Sequence, residues 1–501
     1  MEGQVLTHTP AERPRYGTET PPRSGLPDWR GLLYAPFLWS ALACIVLAAI
    51  SAAVLPTVPS YDPWAWISWG REVTDPHLSF AISGGPSWKP LPVVFTTIWA
   101  LFGSAAAPTL WVITARAGGL LGIVAAYLLA SRLIRGPRWA QVAAGLIAGA
   151  GIMITQAWWD EMFRGTSEPM LIATALWAVL AHLDGRRGWA FSLGVATSLI
   201  RPEAWPLIIA YAAWMWFKEP RLRVLIALGL LSIPFLWFVP PWIGSGQPFL
   251  AAVHAKEYNG DLGKHPLFTV LGRGVDIQLL PVLLAGVVAA LFAWFDKPRD
   301  WLLLWLAGGT VVWWVIVVGM TLDGYPGLER FYLPAAGLTC VLAGVGIVRL
   351  AQLVGRGSVP IGIVTTAVLV AITIPWVGGR INQASAEYHT ASQAVTRLDQ
   401  MTAAVAAVGG HAGVFPCKSS FAAVNHSVQT ALAWKLHVTL GRVGTSMRHQ
   451  GVMFVGPHDS IDGIAPPIDH RLTEQQFIAQ VGAWKMYRMT APGADTRCVG
   501  R

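Results

Sequence analysis

Charge is what this chain has least of. Asp, Glu, Lys and Arg make up 13% of its 501 residues, against 54% hydrophobic residues and a mean hydropathy of +0.49. Soluble domains carry roughly 25% charged residues, so this chain lacks the polar surface to cover a globule in water. Cysteine is scarce as well. Cys44 and Cys340 fall in apolar runs and read as small core residues, leaving Cys417 and Cys498 in the polar C-terminal stretch. Those two form a candidate disulfide if the stretch faces an oxidising compartment. A P-loop and a Gly-x-Ser-x-Gly elbow are both missing, which argues against ATPase and hydrolase chemistry. The 12 His residues show no tight ligand spacing; His254 and His265 merely share a loop.

What the chain has is apolar length. Runs of about 20 residues, enough to cross a hydrocarbon core about 30 Å thick, recur from Leu32 to Val377. The chain is therefore read as an all-α polytopic membrane protein with about eleven transmembrane helices. They are expected at 32–56, 109–134, 139–157, 168–184, 189–200, 204–217, 222–243, 279–295, 301–320, 331–348 and 359–378. The pair around Arg201-Pro202-Glu203 is expected as two short helices meeting near the outer face. The first run follows a long polar arm and has no small-residue cleavage site, so it reads as an anchor rather than a signal peptide. The 26 Trp residues gather near the ends of the runs, as an interfacial aromatic belt requires.

The net charge of +9 is no argument for nucleic acid, because much of the Lys and Arg falls in short connections between runs. Arg132, Arg135, Arg138, Arg186, Arg187, Lys218, Arg221, Arg223, Lys297, Arg299, Arg349 and Arg356 share one side of this topology, which the positive-inside rule makes cytoplasmic. The Pro-rich residues 1–31 then form a disordered cytoplasmic arm, and 32–379 form the transmembrane domain. Residues 380–501 form a small extracytoplasmic α+β domain with an amphipathic helix over Ala384–Val408. The external loop 57–108 holds two interfacial helices, one with the aromatic face Trp64, Trp66, Ile67 and Trp69, the other over Pro92–Phe102.

Ionisable residues close to a bilayer are costly and usually functional. Here they gather on the expected outer side: Asp62, Lys89, Arg116, Asp160, Glu161, Arg164, Glu168, Arg201, Glu203, Glu329 and Arg330. Arg and Lys suit phosphate oxygens, and a desolvated carboxylate suits removal of a hydroxyl proton. The plain readings are specific too. Asp62 before Pro63 fits a helix cap, Lys89 fits a snorkelling side chain, and Arg201–Glu203 and Glu329–Arg330 fit structural ion pairs.

One sequence order is more specific. An apolar run, Tyr61-Asp62, an interfacial helix, Lys89-Pro90-Leu91-Pro92, Phe102-Gly103 and Arg116 follow one another. This order resembles the GT-C superfamily of integral-membrane glycosyltransferases, in the branch of protein O-mannosyltransferases and lipid A aminoarabinose transferases. Arg164-Gly165-Thr166-Ser167-Glu168-Pro169, Ile200-Arg201-Pro202-Glu203 and Glu329-Arg330-Phe331-Tyr332-Leu333-Pro334 resemble later segments of that family. The likeness covers roughly residues 32–378. It departs at Trp88, where some relatives carry an acidic or His residue linked to a metal, and at Pro63, where some carry a second acid.

The resemblance implies a polyprenyl-phosphate-sugar donor, a cell-envelope acceptor and inverting transfer at the outer face of the cytoplasmic membrane. Asp62 is then the general base; Lys89, Arg201 and Arg330 hold the donor phosphate; and Asp160, Glu168 and Glu203 position the acceptor or sugar. No metal ligand is assigned, and a divalent metal is left open. The excess of Arg over Lys, with abundant Ala, Gly and Trp, fits a GC-rich bacterium and hence a mannose or arabinose donor. The competing reading is a transporter or flippase of a lipid-linked or anionic solute, with the same cations as its phosphate site.

Overall fold

The computed structural model describes residues 33–82, 84–257, 261–417, 419–456 and 465–492. The N-terminal arm 1–31, and Cys498 of the expected disulfide, lie outside these. Cys417 itself is disulfide-bonded, whereas Cys44 and Cys340 are free and buried.

Helix α1 (Ala35–Val54) leads into the first loop, which carries α2 (Tyr61–Thr74) and α3 (Pro90–Ala100). The bundle continues with α4 (Ala107–Leu133), α5 (Arg138–Met153), α6 (Trp158–Arg164), α7 (Glu168–Leu183), α8 (Arg187–Ile200), α9 (Trp205–Lys218) and α10 (Arg223–Ser245). Then come α11 (Leu250–Glu257), α12 (Pro266–Asp276), α13 (Leu280–Phe295), α14 (Trp301–Leu322), α15 (Leu333–Gly355), α16 (Val359–Ala371) and α17 (Ile374–Ala407).

Every expected apolar run is helical, but the helices are not equal. Among the described residues five are long and apolar enough to cross a membrane, or up to eight if each bent pair counts as one span. Helices α8 and α9 have 14 residues each, or about 21 Å at 1.5 Å per residue, short of the core thickness. Helices α6, α11 and α12 were not expected from the sequence, because each is short and lies beside a polar loop. Broad apolar surfaces remain uncovered by protein, with Trp39 70%, Phe217 77% and Trp305 76% exposed. Such surfaces need lipid around them, and the chain is a multi-pass membrane protein.

Helix α15 is the central strut, buried along most of its length. Gly344 and Gly346 let it approach closely, since a Cβ on either would collide with the backbone of α5 at Ala144 or of α13 at Ala285. Small residues at such contacts are the usual means of packing helices in lipid. The Arg-rich connections sit at one end of the bundle. There Arg132 pairs with Asp184, Arg187 with Glu219, and Arg349 bridges Asp296 and Asp300 at 2.8 Å each.

The C-terminal region adds α18 (Gly410–Val414), β1 (Phe421–Ala423), α19 (Gln429–Lys435), β2 (Val443–Gly444), β3 (Gly451–Val455), β4 (Glu474–Val481) and β5 (Trp484–Thr490). The strands form one sheet in the order β2-β1-β3-β5-β4, parallel at β1–β2 and β1–β3 and antiparallel beyond. Two features differ from expectation. The long helix α17 begins ten residues before Ala384 and runs through position 380 without a break. The aromatic face of α2 is turned into protein rather than lipid: Trp66 packs edge-on against Trp111 of α4 at 5.6 Å, Trp69 against Trp88 at 5.5 Å, and Trp64 against Trp434 of α19 at 6.0 Å. The reason is that α3, α4 and α19 close over α2, which sequence periodicity cannot show. Helix α3 does keep an exposed apolar side at Val94 and Ile98.

Candidate functional site

Proline builds this site locally. Lys89 precedes Pro90 and Arg201 precedes Pro202, and a residue before proline is pushed out of helical conformation. Both take extended backbone, with φ −132° at Lys89 and −141° at Arg201. Lys89 is thus the N-cap of α3, and Arg201 stops α8 ahead of a 3-10 turn, Pro202–Ala204. Glu168 occupies the first turn of α7, where the helix dipole favours a carboxylate. Arg330 lies in a second 3-10 turn, Glu329–Tyr332, that leads into α15. Asp62 stands in the first turn of α2. These residues lie at helix ends, and Glu168 and Asp184 bracket α7 from opposite ends, so the site is remote from the Arg-rich connections.

The side chains converge. Glu168 is fully buried, and one of its oxygens, Oε1, accepts from Lys89 Nζ at 3.0 Å and Arg201 Nη2 at 2.5 Å. Arg201 Nη1 also reaches Glu203 Oε1 at 3.0 Å. Arg330 Nη2 donates to Asp62 Oδ2 at 3.2 Å. Lys89 lies within the fields of Asp62, Arg201 and Arg330 as well as of Glu168. Three cations therefore face three carboxylates drawn from five separate segments of chain.

The surroundings bury Lys89, Glu168, Arg201 and Glu203 and orient them, while Asp62 and Arg330 stay partly open. Lys89 also donates to Ser167 Oγ at 2.8 Å and lies 5.0 Å from the Trp66 ring centre. Arg201 stacks on Phe331 at 4.1 Å. Burial pushes the Lys89 ammonium below the ordinary lysine value, against the pull of Glu168. Arg201 Nε and Arg330 Nε are buried without a hydrogen-bond partner, as is Glu203 Oε2. Buried N–H groups are seldom left unpaired, so two guanidinium donors without a partner make this cluster able to donate to a further, anionic acceptor.

Of the plain readings, the cap for Asp62 fails. Ser60 is the N-cap of α2, and among the described residues no side chain caps that end. Arg201–Glu203 is an ion pair, but Glu329 turns away from Arg330 to accept from Gln156 at 3.0 Å. Asp160 sits beside the cluster, within the field of Arg330, yet it pairs with Arg164 at 2.6 Å, and its amide donates to Glu387 of α17 at 3.0 Å. Arg116 is structural in its contacts: it donates to the carbonyls of Met162 and Pro56 and to Ser51 Oγ.

Among the described residues no group of three or more His, Cys, Asp or Glu is placed to hold a metal ion. Trp88 spends its indole N–H on the Leu236 carbonyl at 3.0 Å. Sequence reasoning missed Ser167 and Phe331, because each matters only through a partner far along the chain.

No family model matches the chain, and no curated protein matches it. Solved structures do match it, among them two of ArnT. The structure of ArnT from Cupriavidus metallidurans bound to undecaprenyl phosphate is 12% identical, with a TM-score of 0.55, over 94% of this chain and 100% of that one. The apo structure is 13% identical, with a TM-score of 0.50, over 91% and 98%. The chain shares the fold of these two ArnT structures.

Proposed function

We propose that this protein is a membrane glycosyltransferase that moves a sugar from a polyprenyl-phosphate donor to a hydroxyl of a cell-envelope acceptor. One observation carries the reading: three cations meet beside a carboxylate at the helix ends remote from the Arg-rich side, with two guanidinium N–H donors unfilled. Likeness in fold to a transferase whose structure holds undecaprenyl phosphate supports the same donor class. The positive-inside pattern supports placing the site outside the cytoplasmic membrane, with the N-terminal arm inside and the C-terminal sheet region outside.

In this mechanism Lys89, Arg201 and Arg330 receive the phosphate of the donor. Asp62 takes the proton of the acceptor hydroxyl as its oxygen attacks the anomeric carbon from the face opposite the phosphate. The bond from that carbon to the phosphate oxygen breaks, configuration inverts, and polyprenyl phosphate leaves with one more negative charge. The three cations stabilise that charge as it grows. Glu168 orients Lys89 and Arg201, Glu203 orients Arg201, and Asp160 lies where it can meet the sugar or acceptor. No step passes through a metal.

The test uses the purified full chain in proteoliposomes with radiolabelled polyprenyl-phosphate mannose and arabinose and an envelope-lipid extract as acceptor. The expected result is label in the acceptor with release of polyprenyl phosphate. Label crossing the bilayer with no product would establish the transporter reading instead.

A further inference from the structure

The C-terminal domain grips the residue next to Asp62 directly. The Tyr61 phenol donates to Gln429 Oε1 at 3.0 Å. The Thr430 hydroxyl donates to the Tyr61 carbonyl at 2.9 Å. The His426 ring stacks on the Tyr61 ring with centres 4.3 Å apart. All three partners come from the first turn of α19 or the 3-10 turn just before it.

Gln429 is itself fixed. Its amide nitrogen donates to the Val443 carbonyl of β2 at 2.6 Å, so its oxygen must be the atom that faces Tyr61. Both ends of the amide are thus engaged, and the side chain is buried at 7% exposure. This is an unusually determinate strut, running from the sheet to the helix that carries Asp62.

The rest of α2 is held just as firmly. At its far end Arg71 donates to the carbonyls of Trp434 and Val438, each at 3.1 Å, and His437 meets Asp75 at 2.8 Å. On another side Thr96 of α3 donates to the Trp66 carbonyl at 2.7 Å. The amide of Ser60 donates to the Arg164 carbonyl at 3.0 Å. The first turn of α2 is therefore located by α6 and α19 together, and Asp62 inherits its place from them.

We propose that the C-terminal domain completes the transferase site, with Gln429 as the positioning residue that sets Asp62 through Tyr61. The inference rests on Asp62 as the general base. A base displaced by about 1 Å loses on the order of a hundredfold in rate, so a strut at the adjacent residue matters. The donor cations stand at the ends of α3 and α8 and in the turn before α15, which among the described residues α19 does not fasten in this way. Loss of Gln429 should then strike turnover and spare donor binding.

The test compares wild type, Gln429→Leu, Tyr61→Phe and the double variant as full chains in lipid nanodiscs. Each single variant should lower kcat about 10- to 100-fold, with the donor KM unchanged. The double variant should be no worse than the poorer single, since both remove one shared bond. Hydrogen exchange should quicken at amides of the first turn of α2 in Gln429→Leu. Unchanged kcat, or donor KM rising in step with the loss of kcat, would overturn the inference. If wild type transfers no sugar from any donor, the transferase reading fails by itself. Exchange then decides the strut: wild-type protection at the first turn of α2 in Gln429→Leu overturns it, and faster exchange sustains it.

Discussion

Arg330 reaches across 268 positions of sequence to place Nη2 3.2 Å from Asp62 Oδ2. That contact joins the proposed base to the proposed phosphate clamp, so proton removal and departure of the phosphate occur beside the same guanidinium. Replacing Arg330 by Ala removes a donor aimed at the developing charge and frees Asp62 from its partner. Transfer should fall about 10²- to 10³-fold, read as kcat under saturating donor. Near-wild-type kcat would remove Arg330 from the mechanism.

Glu168 is the hub of the other half, because Lys89 and Arg201 share one of its oxygens. Glu168→Gln leaves two buried cations short of a counter-charge. Removing one partner of a buried ion pair typically costs about 3–5 kcal/mol, so this variant should melt well below wild type in detergent. A Tm equal to that of wild type would mean that the cluster is more hydrated than its burial implies.

Arg201 makes two divergent bonds, one through each terminal nitrogen, and stacks on Phe331. Lysine offers a single ammonium and no flat face. Arg201→Lys should therefore behave almost as badly as Arg201→Ala in donor affinity, although the charge is kept. Wild-type KM for the donor in Arg201→Lys would show that charge alone suffices.

A pH dependence of stability follows from Glu72, in the last turn of α2. Burial pushes its carboxyl from 4.5 up to about 8, opposed by the Ala81 amide and Arg71. Between those values the unfolded chain releases a proton that the folded chain keeps. Stability from this group is present below 4.5 and is lost as pH rises through about 8. Thermal unfolding should move to lower temperature across that window, and Glu72→Gln should flatten the trend. An equal slope in both proteins would show that Glu72 does not set it.

The sequence made the apolar helices legible, because a lipid-facing helix must carry its apolar length openly. It also revealed the break at Arg201-Pro202, since the residue before a proline is pushed out of helical conformation. It did not show that the Trp face of α2 turns inward, for that depends on α3, α4 and α19 closing over it. Nor could it show that Glu329 and Arg330, adjacent in sequence, part company toward Gln156 and Asp62. The Tyr61–Gln429 bond spans 368 positions and leaves no local pattern at either end. Periodicity and motif order see neighbours along the chain, and the site is made of neighbours across it.

The central claim is that Asp62 takes the acceptor proton. Its most direct test is single-turnover transfer from radiolabelled polyprenyl-phosphate sugar by Asp62→Asn, with binding of polyprenyl phosphate measured on the same preparation. The account predicts a rate lower by about 10²- to 10⁴-fold with phosphate still bound. A folded Asp62→Asn protein that transfers sugar at the wild-type rate would contradict it.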